Sequence, residues 1–148
     1  MAGSSRTKSS HEKRIVPDGI VAHRDALRKR GGLIAVALSV ATLVVGLILL
    51  ALPGSLTGLL GFVFAFIALP TMPLFGIPAT GDFVRYGLSF ISSLLLWWII
   101  GHYASLRAIR AVIASWPEWR REFRPLAIGL VLGSLISLAL AAIVLGVL

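Results

Sequence analysis

The chain reads as an all-α integral membrane protein with four hydrophobic helices, a basic N-terminal tail and an amphipathic interfacial helix. Three observations predict this class. Of 148 residues, 57% are apolar and 14% are charged, whereas a soluble domain of ordinary composition carries about 25% charged residues. Mean hydropathy is +0.94. The stretches 33–52, 55–77, 86–104 and 126–148 contain no Asp, Glu, Lys or Arg, so the net charge of +8 is held almost entirely between and before them. The organisation that follows is a tail, 1–31, and a membrane domain, 32–148.

In the tail, residues 1–12 are small and polar with nothing to bury, a composition that predicts disorder. From Pro17 the pattern changes. Asp18 is placed as an N-cap, Ile20, Val21, Arg24 and Leu27 recur at helical spacing, and Gly31-Gly32 is read as a stop, which predicts a short juxtamembrane helix. Its cations Arg24, Arg28, Lys29 and Arg30 are expected to meet anionic headgroups, at about 1 kcal/mol each.

The first hydrophobic helix is predicted over 33–52, whose 20 residues match a hydrocarbon core of about 30 Å. No A-x-A-like site follows it, so it is read as an uncleaved anchor. Pro53-Gly54 predicts a tight turn. The second helix, 55–77, is interrupted by Pro70-Thr71-Met72-Pro73. If the prolines only kink it, it spans; if they break it, the segment is re-entrant and its freed carbonyls need protein or water partners. Pro70, Thr71 and Pro73 are accordingly the candidate kink or cavity.

Asp82 is placed to cap the third helix, 86–104, with Arg85 three residues on. Beyond it, 105–125 is predicted as an interfacial connection. Leu106, Ile109, Val112, Ile113 and Trp116 share one helical face, and Arg107, Arg110, Arg120, Arg121 and Arg124 are expected to reach headgroup phosphates. The last helix is predicted over 126–148.

Charge and length pull topology in different directions. Cytoplasmic loops should hold the excess of Lys and Arg. Four spans divide the 14 basic residues 9 to 5 across the membrane, while a re-entrant second segment divides them 13 to 1. The hydrophobic length up to Ile77 favours four, and four membrane helices with a cytoplasmic N-terminus is the expectation.

Reactive groups are scarce. There is no cysteine, which removes disulfides, thiolate metal sites and cysteine nucleophiles together. No metal-ligand spacing, nucleophile elbow, P-loop or dinucleotide fingerprint occurs. Glu118 and Glu122 lie among Arg120, Arg121 and Arg124, where local ion pairs explain them better than acid–base work. His102, after Gly101, is the candidate polar site. No enzymatic activity, cofactor or nucleic-acid partner is expected, because the basic excess lacks a folded face with base-contacting groups.

The last helix carries a different signal. Gly129, Gly133, Ser137 and Ala141 recur every fourth residue as a stripe of small side chains, including a G-x-x-x-G match that permits close helix packing. Shorter small stripes occur at Ala35 and Ser39, Gly54 and Gly58, and Ser89 and Ser93.

These features predict a protein that acts by binding: an accessory, assembly or regulatory subunit of a larger membrane complex, with anionic lipids and other membrane subunits, or itself, as partners. The alternative is a small homo-oligomeric transporter or lipid-handling protein, for which the Pro70–Pro73 break would line a cavity. Richness in Ala, Leu, Val, Gly and Arg points to a GC-rich bacterial source and its cytoplasmic membrane.

Overall fold

A computed structural model describes residues 20–77, 82–110, 115–144 and 146. The tail up to residue 19 with its Asp18 cap, and Val112 and Ile113 of the amphipathic face, lie outside the described residues. Four α-helices follow one another: α1 (Ile20–Ala51), α2 (Ser55–Ala68), α3 (Phe83–Ala108) and α4 (Trp116–Val144), with a 3₁₀ turn, Met72–Phe75, between α2 and α3. Three of them, α1, α3 and α4, are long and apolar enough to cross a membrane, while α2 is a shorter apolar helix.

The juxtamembrane helix and the first hydrophobic helix are one continuous element of 32 residues. Gly31-Gly32 does not stop it. A glycine ends a helix when it takes a left-handed conformation, and among the described residues only Gly54, Gly76 and Gly146 have positive φ. Gly31 and Gly32 instead let α3 and α4 come close: a Cβ on Gly31 would collide with Ser105, and one on Gly32 would lie 2.8 Å from the Trp98 ring.

At the far end of α1, Gly54 adopts φ 130 and turns the chain into α2. The two helices then run antiparallel in close contact. A Cβ on Gly46 would stand 2.8 Å from the Ala65 nitrogen, and one on Gly61 would stand 2.6 Å from the Leu50 nitrogen. The second helix stops at Ala68 rather than running on to Ile77. Proline disfavours the helical conformation of the residue before it, and Leu69, before Pro70, has left the helix at φ −117, ψ 68. Fourteen residues rise about 21 Å, short of the roughly 30 Å a span requires. Gly76, left-handed at φ 73, closes the 3₁₀ turn.

The third helix begins as its sequence predicts. The Asp82 carboxylate accepts the Arg85 N–H at 2.8 Å. The expected interfacial connection is divided differently: residues 105–108 complete α3, and α4 is already helical from Trp116. Pro125 therefore sits inside α4, not before it. Its missing N–H leaves the carbonyl of Arg121, an exposed residue, without its helical donor.

Contacts fix the register. Gly101 of α3 packs on Gly31, Gly32 and Ala35 of α1, and Trp119 and Phe123 of α4 meet Gly101 and Trp97 of α3. One end of the bundle thus gathers the start of α1, the end of α3 and the start of α4. The other gathers the end of α1, the starts of α2 and α3, and the end of α4. The core lies toward the first end and includes Leu27, Ala35, Trp97, Ala104, Trp119 and Phe123. Around it, large apolar side chains such as Leu47, Ile48, Ile91, Leu132 and Ile136 stand exposed. That surface suits hydrocarbon rather than water.

Candidate functional site

The chain reverses between α2 and α3, and the reversal is held by buried polar groups. After the break before Pro70 the Met72 N–H donates to the Leu69 carbonyl at 3.1 Å, so the Ala68 carbonyl has no helical donor. It accepts instead from Ser39 Oγ of α1 at 3.0 Å and from Trp97 Nε1 of α3 at 3.0 Å. Thr71, three residues on, makes the remaining bonds. Its Oγ1 lies 2.9 Å from the Ser89 carbonyl, 2.8 Å from Ser92 Oγ and 2.7 Å from Ser93 Oγ, and its N–H donates to Ser93 Oγ at 3.3 Å. In one consistent assignment the Thr71 hydroxyl donates to the Ser89 carbonyl and accepts from Ser93.

Thr71, Ser39, Ser89 and Ser93 are all buried, and so is Pro70. Thr71 is the clamp between the broken segment and α3. Ser89 and Ser93, legible in the sequence as a small stripe, are also its hydrogen-bond partners. Trp97, which the sequence reading does not single out, is a buried donor. The signal that points to it is the unpaired carbonyl that Pro70 creates, which in an apolar setting must find a donor.

The second constellation is the first end of the bundle. Arg24, Arg28, Lys29 and Arg30 arrive there on α1, Arg107 and Arg110 at the end of α3, and Arg120, Arg121 and Arg124 on the first turns of α4. Arg85 is the one described basic residue at the opposite end. Glu122 does not pair with its neighbours on α4; it reaches across to Arg107 Nε at 2.8 Å. Arg24 keeps its Nε buried, with no hydrogen-bond partner among the described residues.

Between α1 and α4 at this end lies a cavity of about 570 Å³. Trp119 and Phe123 form its floor, stacked at 4.7 Å with 11° between their planes, and Trp116 meets Trp119 edge-on at 6.0 Å. Ile34 and Leu38 supply the α1 wall, and Arg120 and Arg124 supply the rim on α4.

The remaining candidates separate. His102 is half-buried and lies flat on Trp98, with ring centroids 5.2 Å apart and planes 3° from parallel. Among the described residues no group of three His, Asp or Glu side chains is placed to hold a metal. On α4, Gly129 and Gly133 face open space, with nothing within 4 Å of where a Cβ would stand. Ser137 is half-buried, and the side chain of Ala141 lies outside the described set. The tightest approaches use Gly31, Gly46, Gly61 and Gly101 instead. Comparisons with protein-family models, curated proteins and solved structures give no match to this chain.

Proposed function

We propose that the chain is a three-span protein of a bacterial cytoplasmic membrane, with α2 re-entrant from the opposite side, and that it acts by binding, as an accessory, assembly or regulatory subunit of a larger membrane complex. The orientation rests on charge. If the basic end is cytoplasmic, the tail joins it and the basic residues divide 13 to 1 across the membrane. The nine cations at that end then lie at headgroup depth, with anionic lipid as their partner.

The observation that carries the binding reading is the open glycine face of α4. Within the bundle, glycines at 31, 46, 61 and 101 are filled by neighbouring helices, whereas Gly129 and Gly133 meet nothing. In lipid, helices associate through such small surfaces because close packing, not expulsion from water, supplies the attraction. The interior polar groups support a non-catalytic role, since Ser39, Thr71, Ser92, Ser93 and Trp97 are engaged with one another and with backbone carbonyls.

A photo-crosslinking residue placed at Gly133, with one at exposed Leu47 as reference, tests this in native membranes. A discrete adduct with a second, different polypeptide from position 133 and none from position 47 supports the subunit reading. Lipid adducts alone from both positions refute it. A self-adduct favours the homo-oligomer alternative. The lipid-handling form of that alternative draws on the groove beside Arg120 and Arg124.

A further inference from the structure

The run of uncharged residues begins at different depths on the two walls of the α1–α4 groove. On α1 it starts after Arg30, on α4 only after Arg124. Because Ile34 and Leu38 line the groove together with Arg120 and Arg124, two arginine side chains stand beside the first turns of α1's apolar segment. Helical side chains lean toward their own N-terminus, which on α4 is the basic end, a direction that favours stems along the groove and heads in the headgroup layer.

Neither arginine has a carboxylate within ion-pair distance among the described residues, and the nearby acid Glu122 is bound to Arg107. The floor is wholly aromatic and already packed against itself. The vacant volume therefore has an apolar lining and is bordered by two arginine side chains. It has the polarity profile of one phospholipid, with an anion above and hydrocarbon beneath.

We infer that this groove is a specific site for an anionic phospholipid of the leaflet at the basic end, with the phosphate held between Arg120 and Arg124 and one acyl chain lying against Leu38 and Phe123. Trp116, partly exposed at the mouth, lies at the depth of the glycerol backbone. The inference rests on the membrane reading proposed above but not on the α4 glycine face. Unlike the general attraction of a basic surface for anionic lipid, it places affinity in two named arginines and in the shape beneath them.

The test uses the purified full chain in a nonionic detergent, titrated with phosphatidylglycerol or with phosphatidylcholine of the same acyl chains, and native mass spectrometry to count bound lipid. At about 1 kcal/mol per cation near an anionic lipid, two contacts give phosphatidylglycerol a preference of about 30-fold. The R120Q/R124Q variant should lose that preference. The charge-matched R6Q/R14Q variant, which alters two tail arginines that are not among the nine cations assigned to headgroup depth, should keep most of it. Leu38→Trp, which fills the groove and leaves every charge in place, should release the lipid.

Equal loss in the two arginine pairs overturns the site in favour of diffuse surface charge. Displacement of the lipid by a large molar excess of inorganic phosphate overturns the acyl component and leaves a free-anion site. Retention of full lipid preference in Leu38→Trp overturns the groove. The crosslinking experiment at Gly133 is independent of all three results, so failure here is distinguishable from failure of the subunit reading. A chain that stays folded and soluble without detergent removes both.

Discussion

Thr71 and Ser93 bond twice across the chain reversal: the Thr71 N–H donates to Ser93 Oγ at 3.3 Å, and the two hydroxyl oxygens lie 2.7 Å apart. The pair ties the 3₁₀ reversal after α2 to the middle of α3. In an apolar surround such bonds matter most through what their loss exposes, since water cannot replace the missing partner.

Thr71→Val keeps the shape of the side chain and removes its hydroxyl. It should destabilise the protein by about 1–3 kcal/mol, because Ser93 and the Ser89 carbonyl each lose a partner at a buried site. Thermal unfolding in detergent measures it. A variant as stable as the parent would mean the reversal is held by packing alone.

The Ala68 carbonyl has two donors, and that redundancy predicts non-additivity. Ser39→Ala leaves the Trp97 bond in place, and Trp97→Phe leaves the Ser39 bond in place, although the smaller ring also adds a packing cost. Only the double variant strands the carbonyl. Its destabilisation should exceed the sum of the singles by about 1 kcal/mol. A double-mutant cycle that closes additively would show that the two donors do not share one acceptor in the folded state.

Sequence and structure agree where a feature is local and diverge where a partner must be known. The Asp82 cap was legible because donor and acceptor are three residues apart. Ala35, Ser39, Ser89 and Ser93 were legible as small positions that end up buried. The break at Pro70 was legible as one of two outcomes, but choosing between them requires the donors that receive the freed carbonyl, and these come from residues 29 positions away in either direction. Gly31-Gly32 misled because a glycine pair serves a helix stop and a helix crossing equally well, and only the neighbouring α3 decides. For the same reason the G-x-x-x-G at Gly129 does not mark the intramolecular contact, while isolated Gly46, Gly61 and Gly101 do.

That contrast gives a prediction of opposite sign for one kind of substitution. Gly101→Ala places a methyl group 2.5 Å from the Ala35 Cβ and 2.6 Å from the Gly31 carbonyl, so the α1–α3 crossing must open, at about 1–3 kcal/mol. Gly133→Ala meets nothing and removes backbone freedom from the unfolded chain, so monomer stability should rise by up to about 1 kcal/mol. Unfolding of the two variants under identical detergent conditions compares them. Destabilisation of the isolated monomer by Gly133→Ala would place a neighbour on that face after all.

The partly exposed bridge between Arg107 and Glu122 should contribute little. Both side chains retain solvent, at 49% and 31% relative exposure, and pairs of that kind are worth less than about 1 kcal/mol. Glu122→Gln should therefore leave stability nearly unchanged in moderate salt. A loss of several kcal/mol would mean that the pair is shielded from solvent in the membrane.

The most decisive prediction concerns sidedness, and the natural absence of cysteine makes it direct. In the re-entrant arrangement Ser55, at the start of α2, and Phe83, at the start of α3, lie at one end of the bundle, and Ser115 lies at the other. Single cysteines at these exposed or half-exposed positions, tested in intact cells with a membrane-impermeant thiol reagent, should label at 55 and 83 and stay protected at 115 until the membrane is opened. A chain with four crossings places 55 and 115 on the outer side and 83 within. Labelling of position 115 together with protection of 83 would therefore require α2 to cross the membrane, which its 14 residues and the bonded Ala68 carbonyl oppose.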